Sequence, residues 1–256
     1  MQSNLEPNEY GLAIHTSSPQ LGLAVSNFAD ISRSQVWDLG HDLSTHLHVN
    51  LAEFLKPQTW EDLAFIAVAK GPGGFTGTRI GVVTARTLAQ QLDIPLFAIS
   101  TLAAVAWSHL SQLSTPPAPL AKGGVQEDTF SKPLDKEEVQ ENVLVLEQRG
   151  EICENRAIAI QMPAQRGQLF AAIYQVSSSA SGLMALLPDA VLTPEKWQHT
   201  LDNWLTSYEL IEIPAGVGLG ASVSSLLELA SLNWQQGKRP HWSEALPFYG
   251  QHPVEV

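Results

Sequence analysis

Gly71-Pro72-Gly73-Gly74-Phe75-Thr76-Gly77-Thr78-Arg79-Ile80-Gly81 joins an apolar run, Leu63 to Val68, to a long amphipathic segment that ends near Leu92. The order is strand, glycine turn, helix. Gly71, Gly73 and Gly74 let the backbone turn sharply and bring its N–H groups close to a ligand or a neighbouring chain, and Thr76 or Thr78 is expected to cap the helix, with Arg79 in its first turns. A tight turn with no ligand has the same spacing, so both readings stay open here.

Inside the helix, Gly77, Gly81, Ala85 and Ala89 recur every four residues. One ridge is therefore almost bare of side chain over roughly 18 Å, at 1.5 Å rise per residue. Each glycine costs on the order of 1 kcal/mol of helix stability relative to Ala, so two on one face point to a close approach that offsets the loss. The approaching element is either a foreign helix or this domain's own sheet.

Outward from this block, Tyr10 to His15 and Leu21 to Ser26 are apolar segments around the turn Thr16-Ser17-Ser18-Pro19-Gln20, which reads as a hairpin. Leu43, Leu47, Leu51 and Leu55 step by four, giving a helix with one apolar face, capped by Asp42 or Ser44 and followed by Pro57. Pro95 to Ile99 reads as a strand and Thr101 to about Leu110 as a helix behind a Ser100-Thr101 cap. Beyond Leu113 come Ser114-Thr115-Pro116-Pro117-Ala118-Pro119, Lys122-Gly123-Gly124 and Asp135-Lys136-Glu137-Glu138. Such a segment is expected to be a partly disordered surface insertion over 111–155, with a short strand at Val143 to Leu146. Structure resumes with Arg156 to Met162 and Leu169 to Val176 around a second hairpin-like turn at Pro163-Ala164-Gln165-Arg166-Gly167. Tyr208 to Ile213 then reads as a strand, the run from Gly216 to Gly220 as a turn and Ala221 to Trp234 as a final helix. The expectation is an α/β protein of two lobes, 1–110 and 156–256.

Composition narrows the function. The formal charge of −12, from 26 acidic and 14 basic residues in 256, opposes unaided binding to a phosphate backbone. One cysteine, Cys153, excludes an internal disulfide, and the polar N-terminal stretch with no apolar run of membrane-spanning length makes a cytoplasmic protein the expectation. Gly216-Val217-Gly218-Leu219-Gly220-Ala221 matches G-x-G-x-x-A, but Gln236 and Gly237 stand where an acidic residue is required, so a helix-leading turn is the better reading. Neither glycine turn ends in Gly-Lys-Ser/Thr, which excludes a P-loop. His41, His46 and His48 fall on different sides of a helix and make no metal site. No G-x-S-x-G is present, and Asp189, Glu195 and Glu212 read as solvated acids. Trp197, Trp204, Trp234 and Trp242 read as packing residues.

Taken together, Leu12-Ala13-Ile14-His15-Thr16-Ser17, the glycine block from Gly71 to Gly81 and Ser100-Thr101-Leu102 make the chain similar to the bacterial TsaB (YeaZ) family. That family is the dimerisation subunit of the machinery making N6-threonylcarbamoyladenosine at position 37 of tRNA. The resemblance implies an actin/Hsp70/sugar-kinase-like (ASKHA) fold, two lobes each with a mixed sheet and helices, and a homologue of the catalytic TsaD subunit that does no chemistry itself. It implies partners as well: a TsaD-like catalytic subunit, a TsaE-like ATPase, tRNA only through the complex, a homodimer as the competing assembly, and no membrane. ATP and Mg belong to partner subunits on this reading, with room for weak nucleotide binding at a vestigial cleft of His15, Thr16, Ser17, Gly216, Gly218 and Gly220. His15 stands where family members commonly have Asp, and imidazole is a poor ligand for Mg²⁺. Pro163-Ala164-Gln165 likewise replaces Asp-Ala-Arg.

The family's partner helices correspond to Ser44 to Leu55 and Thr76 to Leu92, so Leu47, Leu51, Leu55, Gly77, Gly81, Ala85 and Ala89 are expected at the partner interface. The leading expectation is a non-catalytic scaffold. The alternative is an ATP-dependent phosphotransferase of the sugar/acetate kinase type, using the Thr16-Ser17-Ser18 turn and Gly216 to Gly220.

Overall fold

A computed structural model describes residues 5–6, 8–114, 157–176, 182–214 and 218–250. Residues 111–114 of the expected insertion belong to the helix Thr101–Ser114, and the rest of it, its strand at Val143 to Leu146, Cys153 and Gly216 lie outside the described residues.

Two sheets organise the chain. The first has the order β3-β2-β1-β4-β5, from β1 (Tyr10–His15), β2 (Gln20–Ser26), β3 (Ser32–Asp38), β4 (Leu63–Ala69) and β5 (Leu96–Ile99). The second has the order β8-β7-β6-β9, from β6 (Ala157–Pro163), β7 (Leu169–Val176), β8 (Leu183–Leu192) and β9 (Tyr208–Glu212). In each, a three-strand antiparallel meander is extended by a strand parallel to its first member: β1 with β4, β6 with β9. The second sheet therefore repeats the first without its fifth strand.

Side-chain alternation sorts the layers. Leu12, Ile14, Leu21, Leu23, Ile66 and Val68 face α1 (Leu43–Leu55) and α2 (Phe75–Leu92). Ala13, Ala24, Phe65, Ala67 and Ala69 face the opposite way, against Val223, Leu226, Leu227 and Ala230 of the last helix, α5 (Val223–Gln235). Leu102, Ala103 and Ala106 of α3 (Thr101–Ser114) pack on Ile158, Ile160 and Phe170 of the second sheet. Its far face is closed by Trp197 and Leu201 of α4 (Pro194–Asp202). The stack is thus α1/α2, sheet, α3/α5, sheet, α4. Although α5 follows the second lobe in sequence, it covers the first sheet, and Trp242 and Ala245 join the first lobe's core.

Helix ends explain several boundaries. Arg33 Nη2 on β3 donates to the carbonyls of Phe54, Leu55 and Lys56, satisfying the C-terminal turn of α1. Asp93 ends α2 in the left-handed region at φ 54. Thr193 Oγ1 accepts the Lys196 N–H and Pro194 opens α4. The caps expected for the first two helices are not made. The N-cap of α2 is Gly74 rather than Thr76 or Thr78, and neither it nor Asp42 of α1 forms a side-chain cap bond.

Candidate functional site: the glycine turn and the α1–α2 face

The turn after β4 is tied on three sides. Gly74 N–H donates to Ser17 O at 2.7 Å, Thr101 N–H donates to Gly71 O at 2.9 Å, and Phe248 N–H donates to Lys70 O at 2.6 Å. Gly71 has φ +97, and a Cβ there would sit 2.6 Å from Phe248 O. At Gly73 a Cβ would lie 2.7 Å from that of Ser17. The glycines are required because the β1–β2 turn, the start of α3 and the C-terminal segment crowd onto one another. Of the other expected turn residues, Thr76 and Arg79 are exposed and Thr78 is buried.

The seven residues expected at a partner interface are corrected by the structure. Leu47, Leu51, Leu55, Ala85 and Ala89 all belong to the first lobe's own core. Gly77 and Gly81 lie under the β1–β2 turn: a Cβ on either would overlap Thr16, whose Oγ1 donates to Gly77 O at 2.8 Å. The bare ridge serves this close approach, and the leucine stripe is the ordinary inward face of an amphipathic helix. The alternative weighed from sequence, packing on the domain's own sheet, is the one realised. The faces turned outward carry Val49 of α1 at 54% exposure, and Val83 and Phe75 of α2 at 53% and 42%. Around them α1 and α2 hold a single carboxylate, Glu53, beside Arg79 and Arg86.

At the cleft, Gly218 has φ +78 and leads into the helical turn Leu219–Ser222, where Gly220 O presses on Gly22 so closely that a Cβ at Gly22 has no room. Gly22 pairs with His15 in the β1–β2 ladder. His15 is fully buried, neither ring nitrogen has a hydrogen-bond partner, and burial pushes its pKa down to about 4. A neutral imidazole with no carboxylate beside it does not suit a hard cation. Among the described residues no group of three or more His, Cys, Asp or Glu is placed to hold a metal ion. The magnesium nucleotide that active relatives of this fold take therefore does not fit these residues. Thr16 is committed to Gly77, and Ser17 is buried with Oγ unpartnered. The second hairpin turn forms as expected at Gln165–Gly167.

One polar centre was misread from sequence. Asp189 is not a solvated acid: its Oδ1 accepts the Tyr174 hydroxyl at 2.5 Å, and Tyr174 Oη also lies 3.1 Å from Ser100 Oγ in the other lobe. Burial raises the Asp189 pKa against hydrogen bonds from Tyr174 and Ser100 and the nearby Lys70 charge. Its position within the apolar run Leu183–Leu192 was the available signal. Glu195 is exposed in the first turn of α4, and Glu212 accepts from Gln161. No helix among the described residues is long and apolar enough to cross a membrane.

Comparison with known proteins agrees with this architecture. The family described as TsaD, tRNA N6-adenosine threonylcarbamoyltransferase, matches residues 45–180. The tRNA threonylcarbamoyladenosine biosynthesis protein TsaB of Bacillus subtilis (strain 168) is 38% identical over 109 residues, 41% of this chain and 48% of that protein. The protein of the same name from Buchnera aphidicola subsp. Schizaphis graminum is 33% identical over 101 residues, 37% and 46% of the two chains. The chain thus spans about half the length of the curated relatives it matches. A Pseudomonas aeruginosa crystal structure described as similar to peptidase YeaZ superposes with TM-score 0.63 at 18% identity, covering 95% of this chain and all of that one. The structure titled YeaZ from Pseudomonas aeruginosa gives 0.61 at 18% identity, over 94% of this chain and all of that one. These two likenesses show that the chain shares its two-lobed α/β fold with those structures. With the family match spanning more than half of its residues, the chain belongs to the TsaD family.

Proposed function

We propose that this chain is a non-catalytic subunit in the biosynthesis of N6-threonylcarbamoyladenosine in tRNA. It docks a TsaD-type threonylcarbamoyltransferase through the outward faces of α1 and α2 and holds that subunit in its working arrangement. A TsaE-type ATPase completes the assembly, and tRNA is reached only through it. ATP and magnesium act on the partner subunits.

The observation that carries the reading is the composition of the α1–α2 face. Val49, Val83 and Phe75 stand half-exposed on neighbouring helices. In a chain of net charge −12, these two helices hold one acid against two arginines. A low-charge apolar strip on an otherwise acidic molecule is the kind of surface that is buried by another protein. His15, neutral and enclosed, weighs against the phosphotransferase alternative, whose chemistry needs magnesium beside the phosphates.

The test is calorimetric titration of the full chain with a purified TsaD-type subunit. Val49→Asp and Val83→Asp each place a charge at a half-exposed position of the strip, outside the buried core. Each is expected to weaken binding by at least about tenfold with the circular dichroism spectrum unchanged, the loss typical of truncating a central contact. Wild-type affinity in both variants would overturn the proposal. Sedimentation of the chain alone reads whether a second copy occupies the same face.

A further inference from the structure

β5 is the outer strand of the first sheet, at the edge away from β3. Ile66 N–H donates to Pro95 O at 3.0 Å and Lys70 N–H to Ile99 O at 2.9 Å, which turns the main-chain groups of 95, 97 and 99 toward β4 and those of 96 and 98 outward. The C-terminal segment begins to cover this edge, with Leu96 N–H donating to Pro240 O at 3.2 Å. It does not continue as a strand, because Pro240 has no N–H to return to Leu96 O. The segment rejoins the sheet at Phe248, whose N–H donates to Lys70 O. Leu96 O and both main-chain polar groups of Ala98 are therefore left without a hydrogen-bond partner among the described residues. Open groups of this kind on an edge strand are a template for a further strand.

Charge at the same place says what the strand carries. A hollow of about 780 Å³ lies along Leu96 to Ile99, between β5 and the C-terminal segment. Among the described residues that line it, three are cations, Lys70, Lys238 and Arg239, and one is a carboxylate, Glu244. The balance of the whole chain is the reverse, 26 acidic residues against 14 basic. Two of the cations are held in position: Lys238 Nζ donates to Asn233 Oδ1 at 2.6 Å, and the Arg239 guanidinium lies 3.3 Å from the centre of the Trp234 ring. Leu246, 62% exposed, adds an apolar contact at the rim.

We infer that the open edge of β5 docks an extended acidic segment of a partner protein as an added strand. Its main chain pairs with Leu96 O and Ala98, its carboxylates meet Lys70, Lys238 and Arg239, and its apolar side chains rest against Leu246. The hollow shares no residue with the exposed strip of Val49, Phe75 and Val83, so the inference does not rest on the docking proposed for α1 and α2. The full chain is titrated with a labelled, end-blocked peptide Glu-Val-Glu-Val-Glu-Val, read by fluorescence anisotropy and by amide hydrogen exchange. Saturable binding is expected, with exchange at Ala98 N–H slowed by the peptide. The Lys-Val counterpart and a fully N-methylated Glu-Val peptide, which has no N–H to donate, should each bind at least about tenfold more weakly. Lys238→Glu, at an exposed position, should weaken binding by about tenfold, and Val49→Asp should leave it unchanged. Lack of saturation overturns the site. Equal binding of the Lys-Val peptide, or wild-type affinity in Lys238→Glu, overturns the acidic assignment, and undiminished binding of the N-methylated peptide overturns strand addition. An Ala98 N–H already protected in the isolated chain would mean that the chain covers its own edge, and protection that rises with chain concentration would give the edge to a second copy; either result overturns the inference.

Discussion

Gly81 lies directly beneath Thr16, so that a β-carbon at position 81 would sit 2.0 Å from the threonine hydroxyl oxygen, which donates to Gly77 O. The contact joins the β1–β2 turn to the second turn of α2, and it makes the small-residue ridge an internal joint of the first lobe. What looks in one dimension like a docking groove is the seat of the chain's own hairpin.

Gly81→Leu is therefore expected to damage the fold before it affects any partner. The added side chain must displace Thr16 and break its bond to Gly77, and overpacking of this kind costs about 1–3 kcal/mol. Urea denaturation of the isolated chain measures it. A wild-type midpoint for Gly81→Leu would show that the ridge is free after all.

Leu47 and Val49, two residues apart on α1, should behave as opposites. Leu47 is fully enclosed and Val49 is 54% exposed. Leu47→Ala removes a core side chain, with a loss of about 2–5 kcal/mol, whereas Val49→Ala should change stability by less than about 0.5 kcal/mol. Equal losses in thermal unfolding would contradict the assignment of faces.

The same pair shows what the sequence made legible. Periodicity located α1 and α2 to within a few residues, because stepping by four fixes which side of a helix is apolar. It did not say what covers that side: a stripe buried by one's own sheet and a stripe buried by a neighbour share one pattern. The strands β1, β2, β4, β5, β6, β7 and β9 were readable as apolar runs between turn residues. β3 was not, since Ser32 to Asp38 is a largely exposed edge strand with two charged side chains, Arg33 and Asp38, the first of them spent on capping α1. β8 was hidden by Pro188 and Asp189, where the register with β7 shifts between Ala171 and Ile173. At the site, the glycine turn was visible from composition. The Tyr174, Asp189 and Ser100 contact was not, as it joins residues 74 and 15 positions apart across two lobes.

His15 gives the fold an acid-side weakness. Its pKa of about 4 in the folded chain lies below the ordinary 6.5, so the unfolded chain binds the proton first. Stability is then full above about pH 6.5 and falls as pH drops toward 4. The linked loss between pH 7 and pH 5 is about 2 kcal/mol, at roughly 1.4 kcal/mol per pH unit for one proton. His15→Gln has no such proton to bind. Urea curves at the two pH values should show this part of the loss in the wild type and not in His15→Gln; identical pH dependence in both would refute the assignment.

Asp189 acts with the opposite sign. Burial raises its folded pKa above the ordinary carboxylate value, so the folded chain holds the proton more tightly than the unfolded one. Its contribution is most favourable at low pH and is lost as pH rises through the folded pKa, because ionising the carboxyl within the lobe junction is opposed by desolvation. Asp189→Asn keeps an oxygen that accepts the Tyr174 hydroxyl and removes the charge. The variant should be more stable than the wild type at pH 8, with the difference shrinking as pH is lowered toward 4. Tyr174→Phe, which leaves Asp189 without its hydroxyl donor, should be less stable by about 1–3 kcal/mol. Thermal unfolding of the three proteins across that range decides the matter. An Asp189→Asn variant destabilised equally at every pH would mean that the carboxyl is retained for its geometry alone and that its charge is adequately balanced by Lys70.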